Sequence, residues 1–438
     1  MNLLFLKKCV SIIINLNEGD FMSDKYLVVN AGSSSLKFSL YEMPEGKEIV
    51  NGYIEKIGQK DSFYTLKFDN QKIEKSREIM NHTDAVELMI NELVLNNFIV
   101  DINEIKGVGH RVLHGGEFYS DSILIDNDVL NNIKSLTKFG PLHHPGEIAG
   151  IESMQICLPE VPQIAVFDTS FNQTIPEENY IYPVPYEWYK ENGVRRYGFH
   201  GTSHKYITEK MKEYYKKDNV NLIVCHIGSG ASISCIKNGK CYNTTMGLTP
   251  LDGLMMGTRC GAIDPSIIEF ICKERNLTVS EVTNILNKES GLKGISGKSD
   301  LRDVTSLAQN KDHNAKLAIK LYEKSIVKYI AQYYFELEGN LDAIVFTAGV
   351  GENMAYIRED VINAVSGPMN IKINKEANDN IAKFKEYQSG VITTSDSKVD
   401  VLVIPTNEEY MILKDTYEIC NKIENKVKSL KRESEIYV

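Results

Sequence analysis

The 438-residue chain lacks several features that would have committed it to a class at once. Its eight cysteines (Cys9, Cys157, Cys225, Cys235, Cys241, Cys260, Cys272 and Cys420) form no C-x-x-C pair and no dense framework, so a disulfide scaffold is not indicated. They read as reduced, mostly buried thiols of a cytosolic protein. Excess positive charge is missing too: the formal net charge is -10, which gives no support to a nucleic-acid partner but leaves room for a local basic pocket. No apolar run is long enough to cross a membrane. The opening stretch MNLLFLKKCVSIIINLNEGDF is broken by Lys7 and Lys8 and is followed by no small-residue cleavage site, and Met22 reads as the better start. Residues 1–21 are therefore expected to be a disordered or mis-annotated extension. Finally, neither the G-x-G-x-x-G dinucleotide fingerprint nor a G-x-x-x-x-G-K-S/T phosphate loop occurs.

What is present centres on Leu27 to Met43, LVVNAGSSSLKFSLYEM. β-formers run to Asn30, turn through Gly32 and three serines, and resume with Leu36, Phe38 and Leu40 alternating with polar residues, which is a hairpin with a hydroxyl-rich tip. Freed backbone N–H groups, hydroxyls and the Lys37 ammonium together suit a phosphate. The design recurs at Leu222 to Ile236, LIVCHIGSGASISCI, with Gly228, Ser229 and Gly230 at the tip. Two such hairpins suggest duplicated domains holding a polyphosphate between them, and the chain length independently favours two domains with a ligand cleft. A third glycine turn, LDAIVFTAGVGEN, follows a hydrophobic strand at Leu341 to Asn353.

Other segments place polar residues at element ends. Ile105 to Gly116 is a short strand delivering Arg111 and His114 to a glycine turn. Phe139 to Pro145 is a loop bearing His143 and His144. Gln163 to Phe167 is a buried-type strand ending in Asp168, where ligands collect in α/β proteins. His200 and His204 share a helical spacing, but the glutamate of a zinc protease motif is missing and Gly201 weakens a helix, so His200 reads as an imidazole facing an anion. Gly247 to Pro265 is a long ordered loop carrying Arg259, and Ser290 to Arg302 is another. A helix from Ala315 to Leu337 carries core positions Ile319, Tyr322, Ile326, Tyr329 and Tyr333. VLVIPTNEE reads as a strand ending in carboxylates, and the last helix is expected to pack back on the first domain. Glycine turns, separated arginines, loop histidines and strand-end acids fit phosphoryl transfer, which needs placement and charge neutralisation more than covalent help.

The signatures VVNAGSSSLK, HRVLHGG, FDTSF, RRYGFHGTSH, HIGSGAS, GLTPLDGLMMGTR, AGVGEN and PTNEE occur in one order from about Tyr26 to Asp415, and in this the chain resembles the acetate kinases. These belong to the wider group of acetate and sugar kinases, heat-shock chaperone ATPases and actins. The resemblance implies an α/β fold of two duplicated actin-like (ribonuclease H-like) domains, each with a β-β-β-α-β-α-β-α core, around an interdomain cleft. It implies an N-terminal domain over 22–170, completed by a C-terminal helix over 408–438, and a nucleotide-binding domain over 171–407. It implies a cytoplasmic homodimer with no nucleic-acid or membrane partner, transferring phosphate reversibly between ATP and acetate to give acetyl phosphate and ADP with Mg²⁺ (or Mn²⁺), by direct in-line displacement.

By the same resemblance Asn30 and Glu408 are the metal ligands, and Lys37 and Ser34 lie beside the phosphates. Arg111 and Arg259 bind the carboxylate and the moving phosphoryl group, His200 donates to its oxygens, His143 supports it, and Asp168 is the essential acid. His226, Ile227, Gly228, Ser229, Gly230 and Ala231, with Asp300, Leu301, Arg302, Gly349, Val350, Gly351, Glu352 and Asn353, enclose the nucleotide. Leu113, Leu142, Phe199 and Pro250 form the acyl pocket. The chain departs from the pattern at Ser229 and His144, where asparagine is usual, at Ala262, where an acid is usual, and at Leu113, where valine is frequent. The rival readings are a propionate or butyrate kinase and, from another class, a nucleotide-switched ATPase of the actin or chaperone type.

Overall fold

The computed structural model describes residues 24–141, 143–381 and 390–436, with side chains as far as 430. The expectations for residues 1–21 and for Leu142 lie outside the described residues. β1 (Asp24–Gly32) pairs antiparallel with β2 (Ser35–Met43), and β2 with β3 (Lys47–Glu55). β4 (Phe63–Phe68) and β5 (Gln71–Ser76) extend that edge. On the other side of β1, β6 (Ile105–Val112) is added in parallel, β7 (Ile123–Leu124) forms the far edge, and β8 (Gln163–Phe167) lies between them, parallel to β6. In the second sheet β9 (Leu222–Ile227), β10 (Ala231–Lys237) and β11 (Lys240–Thr244) form an antiparallel meander. β12 (Ala343–Thr347) joins β9 in parallel, β13 (Gly390–Val391) is the edge, and β14 (Asp400–Val403) lies parallel to β12.

The central order is the same in both sheets. Third, second, first, fourth and fifth strands appear as β3-β2-β1-β6-β8 and as β11-β10-β9-β12-β14, which is the duplication expected from the paired hairpins. Strands such as LIVCHI and AIVFT are buried at every position because helices cover both faces of the sheet.

On one face of the first sheet lie α1 (His82–Leu95), capped by Asn81 accepting from Asp84 N–H, and α2 (His144–Cys157). Val86, Met89 and Leu93 of α1 and Met154 of α2 pack with Leu27 and Val29. α3 (Gly201–Tyr215) covers one face of the second sheet through Ile207 and Met211, and α4 (His313–Glu336) covers the other through Tyr322, Ile326, Ile330 and Tyr333. Ala318 and Ile330 belong to its buried stripe, whereas the expected core positions Ile319 and Tyr329 are only partly covered. The third glycine turn folds into α5 (Ala348–Asn353).

Three loop or strand expectations change. Ser290 to Arg302 holds a helical turn, Gly291–Ser296, before a helix that Asp300 caps. In FGPLHHP the helix already begins at His144, since proline fits a first helical turn. In VLVIPTNEE the strand ends at Val403, and Glu408 and Glu409 instead open α6 (Glu408–Ile436).

Helix α6 lies on the free face of the first sheet, where Ile412, Leu413 and Cys420 meet Tyr26, Val28, Ile164 and Val166. Burying each large apolar side chain there contributes roughly 1.5–3 kcal/mol. The approach requires glycine on β6. A methyl on Gly109 would sit 2.2 Å from Thr416 Oγ1 and 2.7 Å from Ile412 Cγ2, and one on Gly107 would sit 2.7 Å from Cys420 Sγ. Gly109→Ala is accordingly expected to lower the unfolding free energy by about 1–3 kcal/mol through overpacking. Urea titration against the unsubstituted protein measures it, and an unchanged midpoint would contradict the packing described.

Candidate active site

Parallel β1, β6 and β8 end side by side, bringing Asn30, Arg111 and Asp168 to one rim of the first sheet. Asp168 is completely buried. Arg111 donates to it from Nε and Nη2, at 3.1 Å to Oδ1 and 2.7 Å to Oδ2. The carboxylate beside it raises the pKa of Arg111 despite burial, so the guanidinium stays charged. Glu408, in the first turn of α6, lies within electrostatic reach of both. Burial raises its pKa against the pull of Arg111, and its Oε1 is buried with no hydrogen-bond partner among the described residues.

From the second half come Arg259, His200 and His226. A methyl on Gly230, at the tip of the second hairpin, would lie 3.3 Å from His200 Nε2 and 3.4 Å from Arg259 Nη1, so these groups flank one point. Arg259 has no ion pair among the described residues. Its partners are the Pro250 carbonyl at 3.3 Å and the Met256 sulfur at 3.7 Å, and burial lowers its pKa. A half-buried cation with only neutral partners is a site for an anion.

His200 has left-handed backbone (φ 57°), a conformation uncommon outside glycine and frequent at functional sites. It is held there because the next residue is Gly201, whose N–H donates to the Asp168 carbonyl at 2.8 Å; a methyl on Gly201 would come within 2.3 Å of that oxygen. The ring stacks on His226 with centroids 4.2 Å apart, and Nδ1 lies 3.0 Å from Ser232 Oγ. Burial, then the neighbouring histidines and both arginines, hold its pKa well below the usual histidine range. His143, just before α2, feels Arg111, Arg259 and Asp168, and its pKa is lowered by desolvation and by the two guanidinium groups. Burial, reinforced by Arg111, lowers His226 to about 3.

A cavity of about 340 Å³ opens beside this cluster, lined by Gly228, Ser229, Asp300, Leu301, Arg302, Gly349, Val350 and Asn353 from the sequence-based set. Gly257, Leu292, Ser299, Tyr322 and Met354 complete the lining and were not anticipated. The remaining members of the set sit elsewhere. Ile227 and Gly351 are buried, and the Glu352 carboxylate accepts from the N–H groups of Ala348 and Thr406, tying α5 to the segment before α6. Lys37 is exposed on β2 with its ammonium 5.3 Å from the centre of the Tyr53 ring, outside the cavity lining. Leu113 and Phe199 join one buried cluster, and Pro250 is half-buried beside Arg259. Ser232 and Glu147 escaped the sequence reading. The first acquires its place through strand register opposite His226. The second does so through a turn of α2 under Leu113, outside every signature, whereas Ser232 closes HIGSGAS without a role being assigned to it.

The comparisons with known proteins agree with this architecture. A sequence profile described as the Acetokinase family matches residues 25–414. An acetate kinase from an Exiguobacterium species is 46% identical over 91% of this chain and 99% of its own length. The crystal structure of Porphyromonas gingivalis acetate kinase superposes with a TM-score of 0.86 at 40% identity, covering 91% of this chain and 100% of that one. A propionate kinase from Francisella tularensis subsp. tularensis does so with a TM-score of 0.84 at 42% identity, covering 90% and 99%.

Glu147 offers a test of the site's electrostatics. Its oxygens accept from Leu113 N–H at 3.2 Å, and burial pushes its pKa up from 4.5 to about 8. Between those values the folded protein holds a proton that the unfolded chain releases, so this stabilisation is complete below the lower value and lost as pH rises through the upper one. Glu147→Gln keeps an oxygen for Leu113 N–H. It is expected to be near neutral at about pH 5 and to stabilise by roughly 2–4 kcal/mol at about pH 9, read from chemical denaturation at both.

Proposed function

The chain belongs to the acetokinase family, and from that premise we propose that it transfers a phosphoryl group reversibly between ATP and acetate, giving acetyl phosphate and ADP. The observation that carries this reading is Arg259. It is a partly buried guanidinium without a carboxylate partner, aimed with His200 at the glycine tip of the second hairpin, opposite an Arg111 that Asp168 already holds in place.

In this mechanism the nucleotide lies in the cavity beside Gly228, Asp300 and Gly349, with its terminal phosphate toward the arginines. Arg111, oriented by Asp168, and Arg259 bind the acetate carboxylate and the phosphoryl oxygens from two sides. Each charged hydrogen bond is worth about 1.5–3 kcal/mol. Neutral His200 donates to an equatorial oxygen, and His143 adds a second contact at the rim. The carboxylate oxygen displaces ADP in line, with no covalent enzyme intermediate, since charge neutralisation and alignment suffice. The donor set also suits a divalent cation: Glu408 offers a buried oxygen with no hydrogen-bond partner among the described residues, and Asn30 lies two residues before the end of β1. Mg²⁺ takes few protein ligands besides phosphates, and when bound it would neutralise the β- and γ-phosphate oxygens.

The acyl methyl group would rest on Leu113 and Phe199, with Pro250 beside them. Propionate is the second reading, favoured by the likeness to the propionate kinase. One methylene is worth about 0.8 kcal/mol of burial and roughly 10–200-fold in discrimination. Leu113 is expected to crowd the longer acids, so hydroxamate formation from ATP and short carboxylates should show kcat/KM falling from acetate to propionate to butyrate. A higher value with propionate would reassign the substrate. In the same assay Arg259→Ala and Arg111→Ala are each expected to lose on the order of 10²–10³ in kcat/KM, and unchanged turnover would remove them from the mechanism.

The division of the chain at 170/171 and 407/408 into two closing domains, and a cytoplasmic homodimer, belong to the same proposal. Support for the dimer comes from the helix Ser266–Arg275, which buries none of its residues and leaves Phe270 and Ile267 exposed beside exposed Val279 and Ile285. Sedimentation equilibrium is expected to give twice the chain mass, shifting toward the monomer in Phe270→Glu.

A further inference from the structure

A buried imidazole and a half-buried one meet one hydroxyl behind the proposed phosphoryl site. Ser232 Oγ lies 3.0 Å from His200 Nδ1 and 2.7 Å from His204 Nε2. Ser232 and His204 are completely buried. A serine has one proton to give, so it donates to one ring and accepts from the other. The two arrangements leave His200 with opposite tautomers.

Resting on the reading that His200 Nε2 faces an anionic phosphoryl group, we propose that Ser232 and His204 are positioning residues that set the tautomer of His200. His204 Nε2–H donates to Ser232 Oγ, Ser232 O–H donates to His200 Nδ1, and the only proton of the neutral His200 ring is thereby kept on Nε2. That nitrogen shares the Gly230 tip with Arg259. The reverse arrangement would turn a bare lone pair toward the anion, where it could only repel it.

One observation favours this direction. Among the described residues His204 Nδ1 is buried with no hydrogen-bond partner. In the proposed arrangement it is an unprotonated nitrogen, whereas in the reverse one it would be an orphaned N–H, the rarer defect in folded proteins. The His226 ring, stacked on His200 at 20° between planes, is itself tied through Nδ1 to Ser203 Oγ at 2.8 Å, and Ser203 Oγ is 2.8 Å from Thr406 Oγ1. His200 is thus confined in its plane by one neighbour and in its protonation by another. The glycine signatures of the sequence contain both serines and give neither a role.

The decisive measurement needs no substrate. In the unliganded protein with ¹⁵N-labelled histidine, His200, assigned by its loss in His200→Gln, is expected to show a protonated Nε2 and a bare Nδ1. A protonated Nδ1 would overturn the proposal while leaving the reaction itself untouched. For function, Ser232→Ala is expected to lower kcat roughly 10- to 100-fold, with KM for acetate and MgATP within about twofold, and Ser232→Thr is expected to recover most of the loss. Equal kcat in Ser232→Ala, or a loss accompanied by the unaltered ¹⁵N pattern, would overturn it. Should Ser232→Ala fail to fold, His204→Gln, which keeps a donor near Nε2, and His204→Asn, which does not, supply the comparison: activity retained in the first alone supports the relay, and equal effects refute it.

Discussion

A fully buried aspartate is the constraint around which this molecule is arranged. Asp168 ends a strand in the middle of an α/β layer, where an isolated carboxylate would be strongly disfavoured. The structure resolves this with the planar fork of Arg111 from the adjacent strand, while the backbone carbonyl of Asp168 accepts from Gly201 N–H. Everything nearby follows from that solution. The glycine starts the helix that follows His200 in its left-handed backbone, and a second guanidinium acting on the same imidazole, Arg259, has no ion pair among the described residues. The crevice is an arrangement in which the protein's own charges balance on one side and remain open on the other.

The repeated strand order gives this chemistry its geometry. Each sheet contributes a hairpin whose first strand lies next to a parallel neighbour, so each presents a rim of strand ends and a tight turn. In the first half the rim carries the ion pair; in the second the turn admits Arg259 and His200 to within a methyl's breadth of Gly230. The final helix crosses back to the first sheet, packed against the glycines of the strand that bears Arg111 and bringing Glu408 to the same rim.

Much of this was legible in the residues. The two hairpins, the strand into Asp168, the long loop around Arg259 and the covering helices are written in hydrophobic period and glycine punctuation, which act over a few residues. The signatures carried the assignment of family and of most cavity-lining positions. Less legible were the places where a side chain's job depends on a distant partner. Glu352 lies in a glycine-turn signature, yet its carboxylate braces two backbone N–H groups. Lys37 lies in the first hairpin, yet its ammonium sits over Tyr53. Ser290 to Arg302 looks too polar and glycine-rich to be regular, yet a helical turn forms there with Leu292 buried against the second core.

By itself, then, the sequence determined the succession of strands and helices, the doubled hairpin and the chemical character of the crevice, because each depends on local backbone preference and on which residues avoid water. Only the tertiary structure decided which charges are satisfied and which are open, which ring nitrogen faces the hydroxyl of Ser232, and which members of a signature reach the cavity. Those outcomes depend on strand register and on distances between residues far apart in the chain, and no local pattern encodes them.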